Sequence, residues 1–212
     1  MASRIIHLAI MSELIKLYEF NDIERLKLGT IIPDGVSNRD DYSLSHFKLK
    51  ISDDERTYDL TKFRNLFKDK MMTDDLYLGY YLHLIEDLIF RNFVYDKYKW
   101  DPRPEGNVER LYDDYKQINS YLINKYNIQN DIKVPSDFEK EQINEVACFE
   151  PHKFVEEFKK DFEEVTYKER FFFSDKMAME YISLCIELCK KELDALKNGN
   201  GIFNEYEWSW GK

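Results

Sequence analysis

Turn-forming residues are scarce in this 212-residue chain, which has seven glycines and five prolines. So few turn formers disfavour a fold of many short, turn-linked strands and favour long helices. Cysteine is scarce too, and Cys148, Cys185 and Cys189 form no C-x-x-C. An odd set without that spacing gives neither a disulfide framework nor a four-cysteine zinc site. Cys185 and Cys189 are four apart on an apolar helical face and read as buried free thiols, which fits a reducing compartment. Basic runs are missing, and the net charge is −10. That argues against duplex DNA, whose binding rests on phosphate neutralisation by Lys and Arg. A small phosphate ester held through a metal stays compatible, because the metal supplies the positive charge.

No uninterrupted apolar stretch or obvious cleavage site follows Met1, so no signal peptide is expected. The span 76–95 is long enough to cross a bilayer, but His83, Glu86, Asp87, Arg91 and Asn92 within it oppose insertion. The expectation is a soluble, cytoplasmic protein without a transmembrane segment. What the chain has in quantity is apolar surface: 43% apolar residues, with 15 Tyr and 15 Phe. That is ample for a large core.

Periodicity predicts a single all-α domain over residues 1–212, its helices surrounding a central buried one, with room for one short β-hairpin. Residues 5–20 form an amphipathic helix: Ile6, Ile10, Leu14 and Tyr18 share an arc, and His7 falls near its middle. Asn21 or Asp22 caps a second helix through Leu28. Gly29 to Gly35 breaks it, Pro33 disfavouring a helical Ile32, and holds Asp34 at the tip of a stiff segment. Residues 36–42 read as a loop. His46–Ile51 and Thr57–Leu60 alternate as a hairpin would, with His46 at its opening. Helical spacing returns over 61–71, 75–98, 108–126, 151–165 and 174–196, with a short helix opened by Val134–Asp137; the last helix ends at Asn198-Gly199-Asn200-Gly201.

Only four histidines occur. His83 and Asp87 are four apart in the most apolar helix and therefore project from one face. A carboxylate is costly to bury unpartnered. The pair is either half of a metal site or a hydrogen bond tying two helices together. His7, Asp34 and His46 are further core-facing polar groups, and the five together are types that suit zinc or a similar first-row metal. Each one singly also reads as a hydrogen-bonded packing residue.

Three ordered pieces, Leu28-Gly29-Thr30-Ile31-Ile32-Pro33-Asp34, Ser45-His46-Phe47 and Gly79-Tyr80-Tyr81-Leu82-His83-Leu84-Ile85-Glu86-Asp87, cover about the first 95 residues. Together they resemble the zinc-dependent phospholipase C family, relatives of the fungal single-strand-specific nucleases. The resemblance implies that Asp34, His46, His83 and Asp87 hold one zinc, and that Asp87 bridges to another that takes His7. The family also uses the mature N-terminal amine there. Its third metal has no matching ligands here: Arg91-Asn92-Phe93 follows Asp87, and the next helix offers Arg110 and Asp114 where the family has His-x-x-x-Glu. Asp114 lies beside an apolar stripe and is taken as a further ligand, whereas His152 with Glu156 reads as a solvated face. One or two Zn2+ ions are expected, or another divalent first-row metal.

The implied function is hydrolysis of a small phosphate ester by metal-activated water, as a phosphodiesterase or a related activity, with Asp34 orienting or deprotonating that water. Arg91, one turn past Asp87, is either an i,i+4 salt bridge or a phosphate clamp. The alternatives are a non-catalytic metal-binding descendant and a plain helical protein.

Overall fold

Local capping chemistry starts most of the helices. In the computed structural model, which describes residues 2–211, side-chain oxygens of Ser3, Asp22, Asn38, Asp59, Asp74 and Ser174 accept first-turn backbone N–H groups. They open α1 (Arg4–Leu17), α2 (Ile23–Ile31), α3 (Arg39–Ser45), α4 (Leu60–Thr73), α5 (Asp75–Arg91) and α8 (Asp175–Lys197). Between the last two lie α6 (Asn107–Tyr126), which starts after Gly106 in a left-handed conformation, and α7 (Pro151–Phe158). The fold is all-α, with one antiparallel hairpin of β1 (Lys48–Lys50) and β2 (Arg56–Tyr58), Leu49 standing opposite Thr57.

The centre is α5, as its all-round apolarity predicts. From Asp75 to Phe90 every residue except Leu78 is buried. Helices α2, α4 and α8 pack on it. Among the described residues no helix is long and apolar enough to cross a membrane.

Two glycines set the closest approach. A Cβ on Gly29 would stand 2.1 Å from the Leu76 carbonyl oxygen, and one on Gly79 would stand 2.3 Å from that of Leu26. The backbones of α2 and α5 therefore touch where they cross, which only glycine allows. Residues just past the crossing, Thr30 on α2 and His83 on α5, are thereby pressed together.

Several boundaries differ from expectation. Residues 39–42, expected in a loop, belong to α3, because Asn38 Oδ1 caps Asp40 and Asp41 N–H and two acids occupy the first turn. His46 consequently sits at the C-terminal cap of α3, ahead of the hairpin. Ile32 is helical despite Pro33, which opens a 3-10 turn over Ile32–Asp34 where its missing N–H costs nothing. The helix expected over 151–165 stops at Phe158, its last buried residue, and a 3-10 turn over Lys159–Phe162 follows. The helix through α5 continues past Arg91 as a π-helical turn, Asn92–Lys97. Cys185 and Cys189 are buried free thiols, and Cys148 is free and exposed.

The second half of the chain pins the first. Glu150 N–H donates to Gly35 O at 2.7 Å beside a Val36–Phe149 bridge, fixing the segment that carries Asp34. Trp210 pairs with Arg56 on β2 through both backbone hydrogen bonds.

Candidate metal centre

His83 lies one turn beyond Gly79 on α5. Its Nδ1 contacts the Thr30 carbonyl at 2.9 Å, in the last turn of α2, where carbonyls run out of helical partners. A carbonyl only accepts, so Nδ1 carries the proton and Nε2 of the neutral ring carries a lone pair. His46 is held in the same way: its Nδ1 lies 3.0 Å from Tyr42 O, while Ser45 Oγ, donating to Pro33 O at 2.8 Å, accepts alongside. Both Nε2 atoms therefore present lone pairs, and they face each other at 3.2 Å.

Asp34 and Asp87 close around them. Asp34 Oδ1 is 3.4 Å and Asp87 Oδ2 3.5 Å from His46 Nε2. Among the described residues Asp34 Oδ1 has no hydrogen-bond partner. On the other side of Asp87, His7 Nε2 is also without one among the described residues, with Asp87 Oδ1 at 3.5 Å. His7 Nδ1 is taken by Glu86 Oε2 at 2.6 Å, and its ring stacks on His83 with centroids 4.2 Å apart. The Ala2 backbone nitrogen donates to Asp87 Oδ1 at 3.0 Å. Two ligand sets thus share His83: Asp34–His46–His83 and His7–His83–Asp87, each with its donor atoms within 4.8 Å of one another.

This arrangement fits a divalent metal. Two zinc–nitrogen bonds of about 2.0–2.1 Å at a tetrahedral angle place their nitrogens roughly 3.3 Å apart. Nitrogen donors whose second ring N–H is committed to a carbonyl or carboxylate are the arrangement that orients metal-binding histidines. His7, His46, His83 and Asp87 are fully buried; Asp34 alone keeps an exposed edge, at 12%.

Electrostatics distinguishes the three rings. Burial works against charge on His7, yet the Asp87 and Glu86 carboxylates outweigh it and raise its pKa to about 10. Burial and the neighbouring charge on His7 push His83 down to about 3. Burial raises Glu86. Asp34 and Asp87 stay below the usual carboxylate range: burial opposes their charge, and the positive charge around them, from the neighbouring histidines among others, favours it. Without metal, a proton on His7 occupies the place a cation would take.

Arg91 is joined to Asp87 through other side chains. No direct ion pair with Asp87 forms among the described residues. Its Nε donates to Tyr58 Oη at 2.8 Å and one Nη to Tyr42 Oη at 3.3 Å. Those hydroxyls in turn stand 3.4 and 3.5 Å from Asp87 Oδ2. The guanidinium lies over the Trp210 ring, 4.8 Å from its centroid. Arg91 is thus half-buried and tied to the centre through two tyrosines.

Asp114 is a correction. Its carboxylate accepts the backbone N–H groups of Phe171, Phe172 and Phe173 at 2.7–2.8 Å and anchors that segment. Both oxygens accept, and Asp114 joins neither group of converging ligand atoms, so it serves as a structural acceptor. His152 is exposed, as read. Tyr80 and Tyr81 are core, bonded to Ser45 O and Glu192. Sequence reasoning missed Glu86, Tyr42 and Tyr58 as partners of the centre. For Glu86 the signal was present, since an acid on a helix apolar all round must find a buried partner. Comparison with family models, curated proteins and solved structures gives no match for this chain.

Proposed function

We propose that the chain is a metal-dependent hydrolase of phosphoric esters, built on Asp34, His46, His83, Asp87 and His7. The observation that carries the metal reading is the pair of Nε2 atoms facing each other at 3.2 Å, each on a ring whose Nδ1 lies against a backbone carbonyl. Two lone pairs at that separation repel unless a proton or a metal ion lies between them. The ordered sequence pieces that resemble the zinc-dependent phospholipases C support the choice of phosphoric esters. Zn2+, or another first-row divalent ion, supplies a Lewis acid that acidifies water and stabilises charge on a phosphoryl oxygen.

The remaining roles belong to the protein. Asp34 has the exposed edge and an unpartnered Oδ1, so it is the carboxylate that water reaches and the one placed to orient it or take its proton. Asp87, held by Tyr42, Tyr58 and Ala2 N–H, keeps its position and charge. Arg91 supplies fixed positive charge beside Tyr42 and Tyr58, where it clamps a phosphate. Free thiols suit a reducing, cytoplasmic setting. Four fully buried ligands also favour a second reading, a structural metal in a non-catalytic protein.

The test pairs metal content, measured on protein purified without chelator, with a panel of phosphodiesters and phosphomonoesters in added zinc or manganese. Bound metal with turnover supports the hydrolase; bound metal without turnover supports the second reading; no metal removes both. Arg91→Lys, which keeps charge and loses the fork, lowers turnover at unchanged metal content if Arg91 is the clamp. If Arg91 only holds Asp87 through its tyrosines, metal and turnover fall together.

A further inference from the structure

Leu78 is the one residue between Asp75 and Phe90 on α5 that is not buried, and it faces a cavity of about 390 Å³. The cavity lies between the C-terminal ends of α1 and α8, the outer face of α4, and the loop 199–201. Nine helical steps along α5 separate Leu78 from Asp87, roughly 13 Å along the axis, so this is not the metal centre. The volume falls within the range of about 300–1,000 Å³ found for small-molecule sites.

The floor is aliphatic: Met71, Leu78, Leu193 and Leu196. The walls are cationic, in a chain whose net charge is −10. Arg64 and Lys68 stand one turn apart on α4, and Lys197 closes the far side from the last turn of α8. Arg64 is held by its bonds to Tyr81 Oη at 2.5 Å and Thr61 Oγ1 at 2.9 Å, and lies near the buried acids Glu192 and Glu205. Lys197 lies over the Tyr18 ring, 4.6 Å from its centroid. Lys68 and Lys197 make no ion pair among the described residues. Two acids line the cavity as well. Asp75 is occupied by the Asp22 N–H at 2.5 Å, and Glu19 is exposed at the rim. The loop edge is fixed independently, Ile202 and Phe203 N–H each donating to Glu192 Oε2 at 2.7 Å.

We propose that this cavity binds an amphipathic organic anion, with an aliphatic tail on the leucine and methionine floor and a carboxylate or phosphate head between Lys68, Lys197 and Arg64. Apolar burial supplies the affinity and the two unpaired ammonium groups select the charge. The site stands apart from the metal centre and does not depend on the hydrolase reading.

Calorimetric titration with decanoate and with decylphosphonate, whose C–P bond resists ester hydrolysis, tests the proposal; decanol, inorganic phosphate and decyltrimethylammonium are the comparisons. At least one of the two anions should bind one per chain, and at least tenfold more tightly than any of the three. The tighter of the two identifies the head group. The double variant Lys68→Glu/Lys197→Glu changes two exposed side chains, keeps the wild-type melting curve, and should weaken binding at least tenfold. His46→Ala should leave it unchanged. Decanol binding as tightly as the better of the two anions, unchanged affinity in the double variant, or no saturable binding of either anion below its micellar concentration would overturn it.

Discussion

The Nε2 atoms of His46 and His83 stand 3.2 Å apart, each on a ring whose Nδ1 proton is already given to a backbone carbonyl. Two such atoms attract only through something between them. If that is a metal, its ligands come from separate segments of chain, and metal binding is linked to folding. At a hundredfold excess over its dissociation constant a ligand bound only by the folded state adds about 2.7 kcal/mol. Chelator should therefore lower the melting temperature of the wild type and leave that of His83→Ala unmoved. Equal shifts in both proteins would remove the linkage.

Gly79→Ala separates local propensity from tertiary packing by its sign. Helix propensity alone predicts a gain of about 1 kcal/mol. The contact of the new Cβ with the Leu26 carbonyl oxygen, 2.3 Å, predicts a loss of about 1–3 kcal/mol or more, with weakened metal binding as α2 is pushed from α5. Urea unfolding decides between them; a stabilised variant would show that the helices do not cross in backbone contact.

Asp114→Ala should destabilise without touching the metal. It strips a charged acceptor from three backbone N–H groups, each such bond being worth about 1.5–3 kcal/mol, so an overall loss of at least about 3 kcal/mol is expected. Metal content per folded chain should equal that of wild type. A drop in stoichiometry would restore Asp114 to the ligand set.

The histidines also give metal-free protein a defined pH response. His7 is raised to about 10 in the fold, so its stabilisation is complete below its unfolded value of 6.5 and is lost as pH climbs from there through about 10. His83 is depressed to about 3, so the fold holds it neutral while the unfolded chain protonates it; stability falls as pH drops below 6.5. The urea midpoint of chelator-treated protein should fall between pH 7 and 10, and His7→Gln should flatten that limb. An unaltered slope in His7→Gln would contradict the assignment.

The helices were legible because each carries its own cap and stripe. Ser3, Asp22 and Ser174 begin helices close to where the apolar period starts. Loop 36–42 was misread since its helix, α3, is short and rests on the Asn38 cap, with Ser45 its only buried residue. The His83–Asp87 relationship was legible for a geometric reason: four residues on a helix place two side chains on one face wherever the helix ends up. Asp114 was misread because a carboxylate beside an apolar stripe looks the same in sequence whether a metal or three backbone N–H groups await it.

By itself, then, the sequence determined the helices, the buried thiols and the face shared by His83 and Asp87, all consequences of interactions spanning a few residues. Convergence was decided only in three dimensions. His7 meets Asp87 because α1, packed on α2, α6 and α8, turns that side chain toward α5, and Asp34 is held at the centre by Glu150, from far along the chain. His46 faces His83 because a seven-residue helix ends where Gly29 and Gly79 let two backbones touch. Those distances depend on how closely whole helices approach, which is set by the sum of packing over the core and is written in no local spacing.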